Sequence, residues 1–274
     1  MHKERAPAVS PHAVGRQVLV GELCPKAAEG RPGIAPLLMR TLQWSDSNEE
    51  VTNTVERGST PRFAAFGVDG KVAGVFDTVG LADIAPGQSV ASGTYVGGAP
   101  CSAEGGKGQP RTDDPACVAA THGCGLAVAQ IARPDDPPEV PAYQTGAVCV
   151  SGDLLGVDID GDGLAEWFPL VRALDGTRGP AQEWTAASKD ARPCDGKFAA
   201  YDIKVQPETE AGKATDPKAT VTFDVLGVLD LDGDGRKELV IAMRFPTVRT
   251  VVVFSAANAP QRLELVGEAQ AFQH

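Results

Sequence analysis

The chain lacks an excess of positive charge. Its 274 residues include 25 lysines and arginines but 36 aspartates and glutamates, and the formal net charge is −11 at pH 7. Nucleic acids and anionic lipid surfaces are held mainly through lysine and arginine contacts. We therefore expect neither of them as a partner.

Long apolar runs are also missing. The longest candidates, residues 239–243 and 250–254, are far shorter than the roughly 20 residues that a membrane-spanning helix needs. We therefore predict no membrane span. Residues 1–15 contain charges and prolines but no apolar central stretch, so we expect any export signal to lie before residue 1.

Motifs of the common enzyme classes are absent as well. The sequence contains no G-x-S-x-G elbow, no H-E-x-x-H helix, no Walker loop and no dinucleotide fingerprint. Three of its four histidines, His2, His12 and His274, lie near the chain ends. His122 stands two residues before Cys124, but a disulfide is the better interpretation of that cysteine. Glycosidases stay open, because their paired carboxylates leave no short motif.

The cysteines form an even set without a C-x-x-C pair. This pattern favours disulfides over a zinc site or a redox dithiol, and therefore an extracytoplasmic location. The alternative is a set of reduced core cysteines in a cytosolic protein, and the pairing cannot be read from spacing. The six are Cys24, Cys101, Cys117, Cys124, Cys149 and Cys194.

Short apolar runs broken by 31 glycines and 21 prolines predict an all-β fold with minor α content. One helix is expected after Ser47, because Glu50 follows at the spacing of a capping box and Gly58 ends the pattern. The predicted strands are residues 17–20, 62–68, 71–78, 147–150, 220–229, 238–245 and 248–255.

The expected organisation is a flexible leader over residues 1–16 and a single β-rich domain over residues 17–274. The domain could alternatively divide near residues 132–141, with both acidic loops described below in the C-terminal part. Residues 97–114 and 132–141 have no apolar periodicity, and we predict that both are surface loops. We expect a disulfide to tie the first of them.

The strongest pattern is an internal repeat. Residues 156–166 (GVDIDGDGLAE) align with residues 228–238 (VLDLDGDGRKE) at a shift of 72. Residues 158–166 are called loop 1 and residues 230–238 loop 2. Each loop has acidic residues at its positions 1, 3, 5 and 9 and glycine at position 6. The acids are Asp158, Asp160, Asp162 and Glu166 in loop 1, and Asp230, Asp232, Asp234 and Glu238 in loop 2.

This chemistry suits calcium. Ca²⁺ takes six to eight oxygen ligands in a tolerant geometry, whereas Mg²⁺ prefers a strict octahedron. The carbonyls at position 7, Leu164 and Arg236, together with water could complete each shell. An EF-hand needs an acid at position 12, where this chain has Pro169 and Ile241. We therefore predict two Ca²⁺ ions in strand–loop–strand units; the alternative is two plain Asp-Gly hairpins with solvated carboxylates.

The two loops, with about 25 residues around each, resemble the calcium loops of FG-GAP or VCBS-type repeats in integrin-like β-propellers. The resemblance implies that the side chains at positions 1, 3, 5 and 9 bind calcium. Position 9 is often Asp in that family and is Glu here. A closed propeller has 4–8 blades, whereas only two loops are clear in this chain. We therefore expect a propeller-like fold or a two-sheet assembly of hairpins.

Three functions fit this sequence. The first is a calcium-binding, β-rich protein of the cell surface or periplasm that acts in binding, adhesion or scaffolding, with a protein or glycan partner. The second is a secreted hydrolase braced by the same loops, with Asp153 or Asp224 as candidate acids. The third is a structural module of a larger envelope assembly. Four carboxylates around an ion leave little room for substrate, which favours a structural role for calcium.

Overall fold

A computed structural model describes most of the predicted strands. The described residues are 17–28, 31–46, 48–56, 62–66, 72–85, 88–97, 125–131, 146, 148–152, 154–170, 183–194, 203–205, 221–244 and 249–271. Its elements are β1 (Gln17–Ala28), β2 (Arg31–Arg40), β3 (Trp44–Ser45), α1 (Asn48–Glu56), β4 (Arg62–Phe66), β5 (Val72–Ala85), β6 (Gln88–Gly97), β7 (Gly125–Ile131), β8 (Val148–Ser151), β9 (Leu154–Val157), β10 (Glu166–Pro169), β11 (Glu183–Thr185), β12 (Ile203–Val205), β13 (Val221–Leu229), β14 (Glu238–Arg244), β15 (Arg249–Ala259) and β16 (Arg262–Ala271).

Six antiparallel strands close into a barrel. Their order is β1, β7, β4, β5, β6 and β2, and β2 pairs back onto β1. The short strand β3 extends β2 at the margin. Closure pairs the strand edges that an open sheet would leave exposed.

The barrel interior is filled by alternate residues of its strands. Leu19, Ile34, Phe63 and Phe76 are each 0% exposed and belong to one apolar cluster. Phe63 and Phe76 face each other in the register between β4 and β5. Helix α1 adds Val51 and Val55 to the same cluster, as the spacing of these two residues by four positions allows.

Replacing Phe76 by alanine is expected to lower the free energy of unfolding by about 3–5 kcal/mol, because it leaves a cavity inside the barrel. Val79→Ala on the same strand is the matched control, since Val79 is 76% exposed. We expect it to change stability by less than about 0.5 kcal/mol. Urea titration measures both values, and equal losses in the two variants would contradict the assigned strand faces.

A six-stranded sheet is packed on both faces. Its order is β11, β16, β15, β14, β13 and β12. Val240 and Ala242 of β14 cluster with barrel residues such as Leu38. Leu239 and Ile241 instead cluster with residues of the three-stranded sheet β10, β9, β8. Burial on both faces explains why β14 and β15 are near-continuous apolar runs in the sequence.

A disulfide ties the three-stranded sheet to the segment that follows β11. Cys149 of β8 bonds to Cys194, 45 residues later in the chain. Near this bond Ala165 and Arg192 exchange two backbone hydrogen bonds of 2.9 Å and 3.1 Å. The Arg192 guanidinium lies 4.5 Å from the Trp167 ring centroid. The predicted use of cysteine in disulfides is confirmed for this pair, and the bond is consistent with an extracytoplasmic location.

Removing this bond with Cys149→Ala and Cys194→Ala together is expected to cost about 2–4 kcal/mol of stability, because the unfolded chain gains freedom. Melting curves under oxidising conditions should show the loss. Under strong reductant the variant and the parent protein should converge. A variant that melts with the parent under oxidising conditions would overturn this assignment.

Within the described residues, the structure confirms the predominance of strands and the helix predicted after Ser47. The sequence analysis did not predict the closed barrel, and the described residues do not show the blades of a propeller. The predicted leader over residues 1–16 lies outside the described residues, and so do most of the two predicted loops (residues 98–114 and 132–141) and Cys101, Cys117 and Cys124. Gly97, the first residue of the first predicted loop, instead ends β6. In the part of the chain that the structure describes, no helix has the length and apolar character needed to cross a membrane.

Candidate metal centres

Both acidic loops are the tips of antiparallel hairpins. Loop 1 connects β9 to β10, and loop 2 connects β13 to β14. The glutamate at position 9 begins the returning strand in each loop. Glu166 pairs with Val157, and Glu238 pairs with Leu229. The strand–loop–strand arrangement predicted from the sequence is therefore confirmed.

The glycines of the loops are required by the backbone. Positions 4 and 6 have positive φ angles in both loops, with values of 76° and 88° at Gly161 and Gly163 and of 77° and 88° at Gly233 and Gly235. Residues with a Cβ rarely adopt this left-handed region. The repeated Asp-Gly-Asp-Gly sequence thus sets the turn as well as the charge.

The same four hydrogen bonds shape the two loops. The carboxylate at position 1 accepts from the N–H of position 4, at 2.7 Å in both loops. Position 3 accepts from the N–H of position 5, at 3.2 Å and 3.0 Å. Position 5 accepts from the N–H of position 7, at 2.7 Å in both. Position 9 accepts from the N–H of position 2, at 3.1 Å and 2.7 Å. The loops are therefore close conformational copies.

Two groups of acids could hold a metal ion. Carboxylate oxygens of Asp158, Asp160 and Asp162 all lie within 4.8 Å of one another in loop 1. The corresponding group in loop 2 is Asp230, Asp232 and Glu238, again within 4.8 Å. The other predicted ligands of the two loops remain predictions: Glu166, Asp234 and the carbonyls of Leu164 and Arg236.

Burial gives these carboxylates an unfavourable environment. Desolvation is the first cause that raises the pKa of Asp158, Asp230 and Asp232, and repulsion from neighbouring acids adds to it. The same effect raises the pKa of Glu166 to about 7 and places that of Glu238 well above its usual value. A bound divalent cation would offset both costs, so the residues fit a cation site.

The pH dependence of stability should follow from Glu166. Its folded-state pKa of about 7 exceeds the ordinary value of 4.5, so the folded state favours the protonated form. The associated stability is full below about pH 4.5 and is lost as the pH rises through about 7. In the presence of a calcium chelator, the melting temperature should therefore fall as the pH is raised from about 4.5 to about 7.

Excess calcium should reduce that fall, because the ion binds the ionised carboxylates. Glu166→Gln should flatten the chelator profile, since the amide cannot titrate. Differential scanning calorimetry across the pH window measures both effects. A chelator profile that rises with pH would contradict the burial of these acids.

Side chains outside the predicted set of ligands also contact loop 2. Arg40 is the last residue of β2, and its Nη2 lies 2.9 Å from Asp232 Oδ2. Ser255 Oγ donates to Glu238 Oε1 at 2.9 Å. These contacts join residues distant in sequence, and no local pattern in the sequence points to them. They attach loop 2 to strand β2 of the barrel and to strand β15 of its own sheet.

Lys237, at position 8 of loop 2, links the two loops through its backbone. Its backbone N–H donates to the carbonyl of Ile159 in loop 1 at 2.9 Å. The Ile159 N–H in turn donates to Glu166 Oε2. The sequence predicted two loops but not their contact. The sequence signal for it is position 8 of the repeat, which is Ala165 in loop 1 and Lys237 in loop 2.

The candidate catalytic residues of the sequence are not assembled by the described structure. His2, His12, His122, Cys124, Asp153 and His274 lie outside the described residues. Asp224 lies in β13, where the structure describes its backbone pairing with Ala242.

Comparisons of the chain with protein-family models, with curated proteins and with solved structures find no match. The resemblance of the two loops to FG-GAP and VCBS repeats therefore stays a prediction from the loop residues.

Proposed function

We propose that loops 1 and 2 each bind one Ca²⁺ ion and that the protein is an extracytoplasmic, calcium-stabilised binding, adhesion or scaffold module. One observation carries the proposal: two hairpin tips from different sheets repeat the same acidic residues, glycine conformations and hydrogen bonds. Plain turns need the glycines but not the buried carboxylates.

Calcium fits these loops better than softer metals do. Every predicted side-chain ligand is a carboxylate, and hard oxygen ligands suit Ca²⁺, Mg²⁺ or Mn²⁺ rather than zinc or copper. Ca²⁺ also tolerates the irregular shell that a nine-residue loop can offer. In each loop, three acidic side chains with oxygens within 4.8 Å of one another supply the negative charge that such an ion requires.

The expected role of the ions is structural. Two Ca²⁺ ions add four positive charges, which would change the formal net charge from −11 to −7. They would also relieve the repulsion among acids that burial now holds together, so that folding and binding are coupled. Loop 2 contacts β2 of the barrel through the ion pair of Asp232 with Arg40, and the two loops contact each other. Ions at these positions would hold the strand layers in a fixed arrangement.

A rigid scaffold of this kind suits recognition of a protein or glycan at the cell envelope, in keeping with the family that the loops resemble. The Cys149–Cys194 disulfide supports an oxidising compartment. The hydrolase alternative rests on Asp153, which lies outside the described residues, and on Asp224 of β13, which pairs with Ala242 through its backbone.

Calorimetric titration of chelator-stripped protein should give two saturable calcium-binding events. Asp160→Ala should remove the event of loop 1 and Asp232→Ala that of loop 2, because each loses a carboxylate ligand. At a calcium concentration about 100 times the Kd, stability should rise by about 2.7 kcal/mol per site. The melting curve measures this increase.

Asp190→Ala is the matched control, since Asp190 is an exposed acid outside both loops. It should bind calcium as the parent protein does. A magnesium titration tests selectivity. Absence of heat and of any thermal shift with calcium would overturn the proposal.

A further inference from the structure

The side chain of Lys237 is a buried cation at the junction of the two loops. The residue is 2% exposed, and its Nζ has no hydrogen-bond partner among the described residues. It stands at position 8 of loop 2, between Arg236 and Glu238, where loop 1 has Ala165. Burying an amine without a hydrogen bond is costly, so this side chain calls for an explanation.

Lys237 points at loop 1 rather than at its own loop. A Cβ placed on Gly161 would lie 2.5 Å from Lys237 Nζ and 3.6 Å from its Cε. The Lys237 backbone is held against loop 1 by the hydrogen bond to Ile159. Its charge also lowers the pKa of Asp158, opposing the larger effect of burial. The lysine of one loop thus supplies positive charge to the acids of the other.

Loop 2 has a cation of a different kind. The Arg40 side chain is 24% exposed and contacts Asp232 through Oδ2. Against the larger effect of burial, its charge lowers the pKa of Asp232, as that of Lys237 lowers the pKa of Asp158, but the guanidinium keeps contact with water, which can rehydrate it when an ion enters. Lys237 is sealed from water, and its charge is therefore screened much less. The two loops are alike in backbone but unlike in the charge beside them.

We propose that Lys237 is an affinity-determining residue that makes loop 1 the weaker of the two calcium sites, so that loop 2 fills first. This inference rests on the proposed calcium function. Before an ion binds, the lysine charge partly compensates the acids of loop 1. An ion that enters loop 1 meets this fixed positive charge at close range. Loop 2 holds the backbone of Lys237 but not its charged end.

Each site can be measured alone. In an Asp232→Ala background only loop 1 reports, and in an Asp160→Ala background only loop 2 reports. Calcium calorimetry should show at least about tenfold tighter binding in loop 2. Lys237→Met keeps the apolar stem and removes the charge, and it should strengthen loop 1 by at least about tenfold, or about 1.4 kcal/mol. The same change should alter loop 2 by less than about threefold.

Lys189→Met is the matched control, because it removes one positive charge from an exposed residue outside both loops. It should leave both affinities unchanged. The order of filling is an independent test that keeps Lys237 in place, since Asp160→Ala should remove the weaker of the parent protein's two binding events and Asp232→Ala the tighter one. This test stands even if Lys237→Met does not fold.

The outcomes separate the two claims. If the parent protein binds no calcium, the proposed function fails and this inference fails with it. If both loops bind but loop 1 is equal or tighter, the inference alone is overturned. It is also overturned if a folded Lys237→Met variant binds calcium at loop 1 no better than the Lys189→Met control.

Discussion

Buried carboxylates at two adjoining hairpin tips are the constraint on which the C-terminal half of this structure depends. Glu238 is 1% exposed and Glu166 is 4% exposed, and each lies among other acids of its loop. Negative charge in such a setting is tolerated only where donors or cations compensate it. The backbone amides of each loop, Ser255, Arg40 and Lys237 provide compensation in the protein itself.

That compensation also joins the layers. Arg40 belongs to a barrel strand, and its partner Asp232 is in loop 2. Ile159 of loop 1 and Lys237 of loop 2 share a backbone hydrogen bond. The six-stranded sheet packs one apolar face against the barrel and the other against the three-stranded sheet. Apolar faces alone do not orient these two layers by polar contacts. The charged loops at its margin supply specific contacts that fix the layers relative to one another.

Local patterns in the sequence predicted much of this structure. The repeated acids and glycines of the loops predicted both hairpin tips, because the glycine φ angles and the carboxylate spacing are set within nine residues. Strands β13, β14 and β15 were predicted from their β-branched runs. The closure of the barrel was not, because it depends on β2 pairing with both β1 and β6, and β2 contains Pro32 and Pro36. Pairing between distant strands leaves no periodic trace along the chain.

The divergence of the two repeats follows from where each hairpin packs. Position 8 of loop 1 is Ala165, which lies against Arg192 in a backbone bridge and is 1% exposed. A long side chain would not fit there. Position 8 of loop 2 faces the neighbouring loop, where Gly161 leaves room for the lysine amine. The two loops therefore keep the same predicted ligand positions while differing at position 8, where each meets a different neighbour, and that difference gives two similar backbones unequal electrostatic environments.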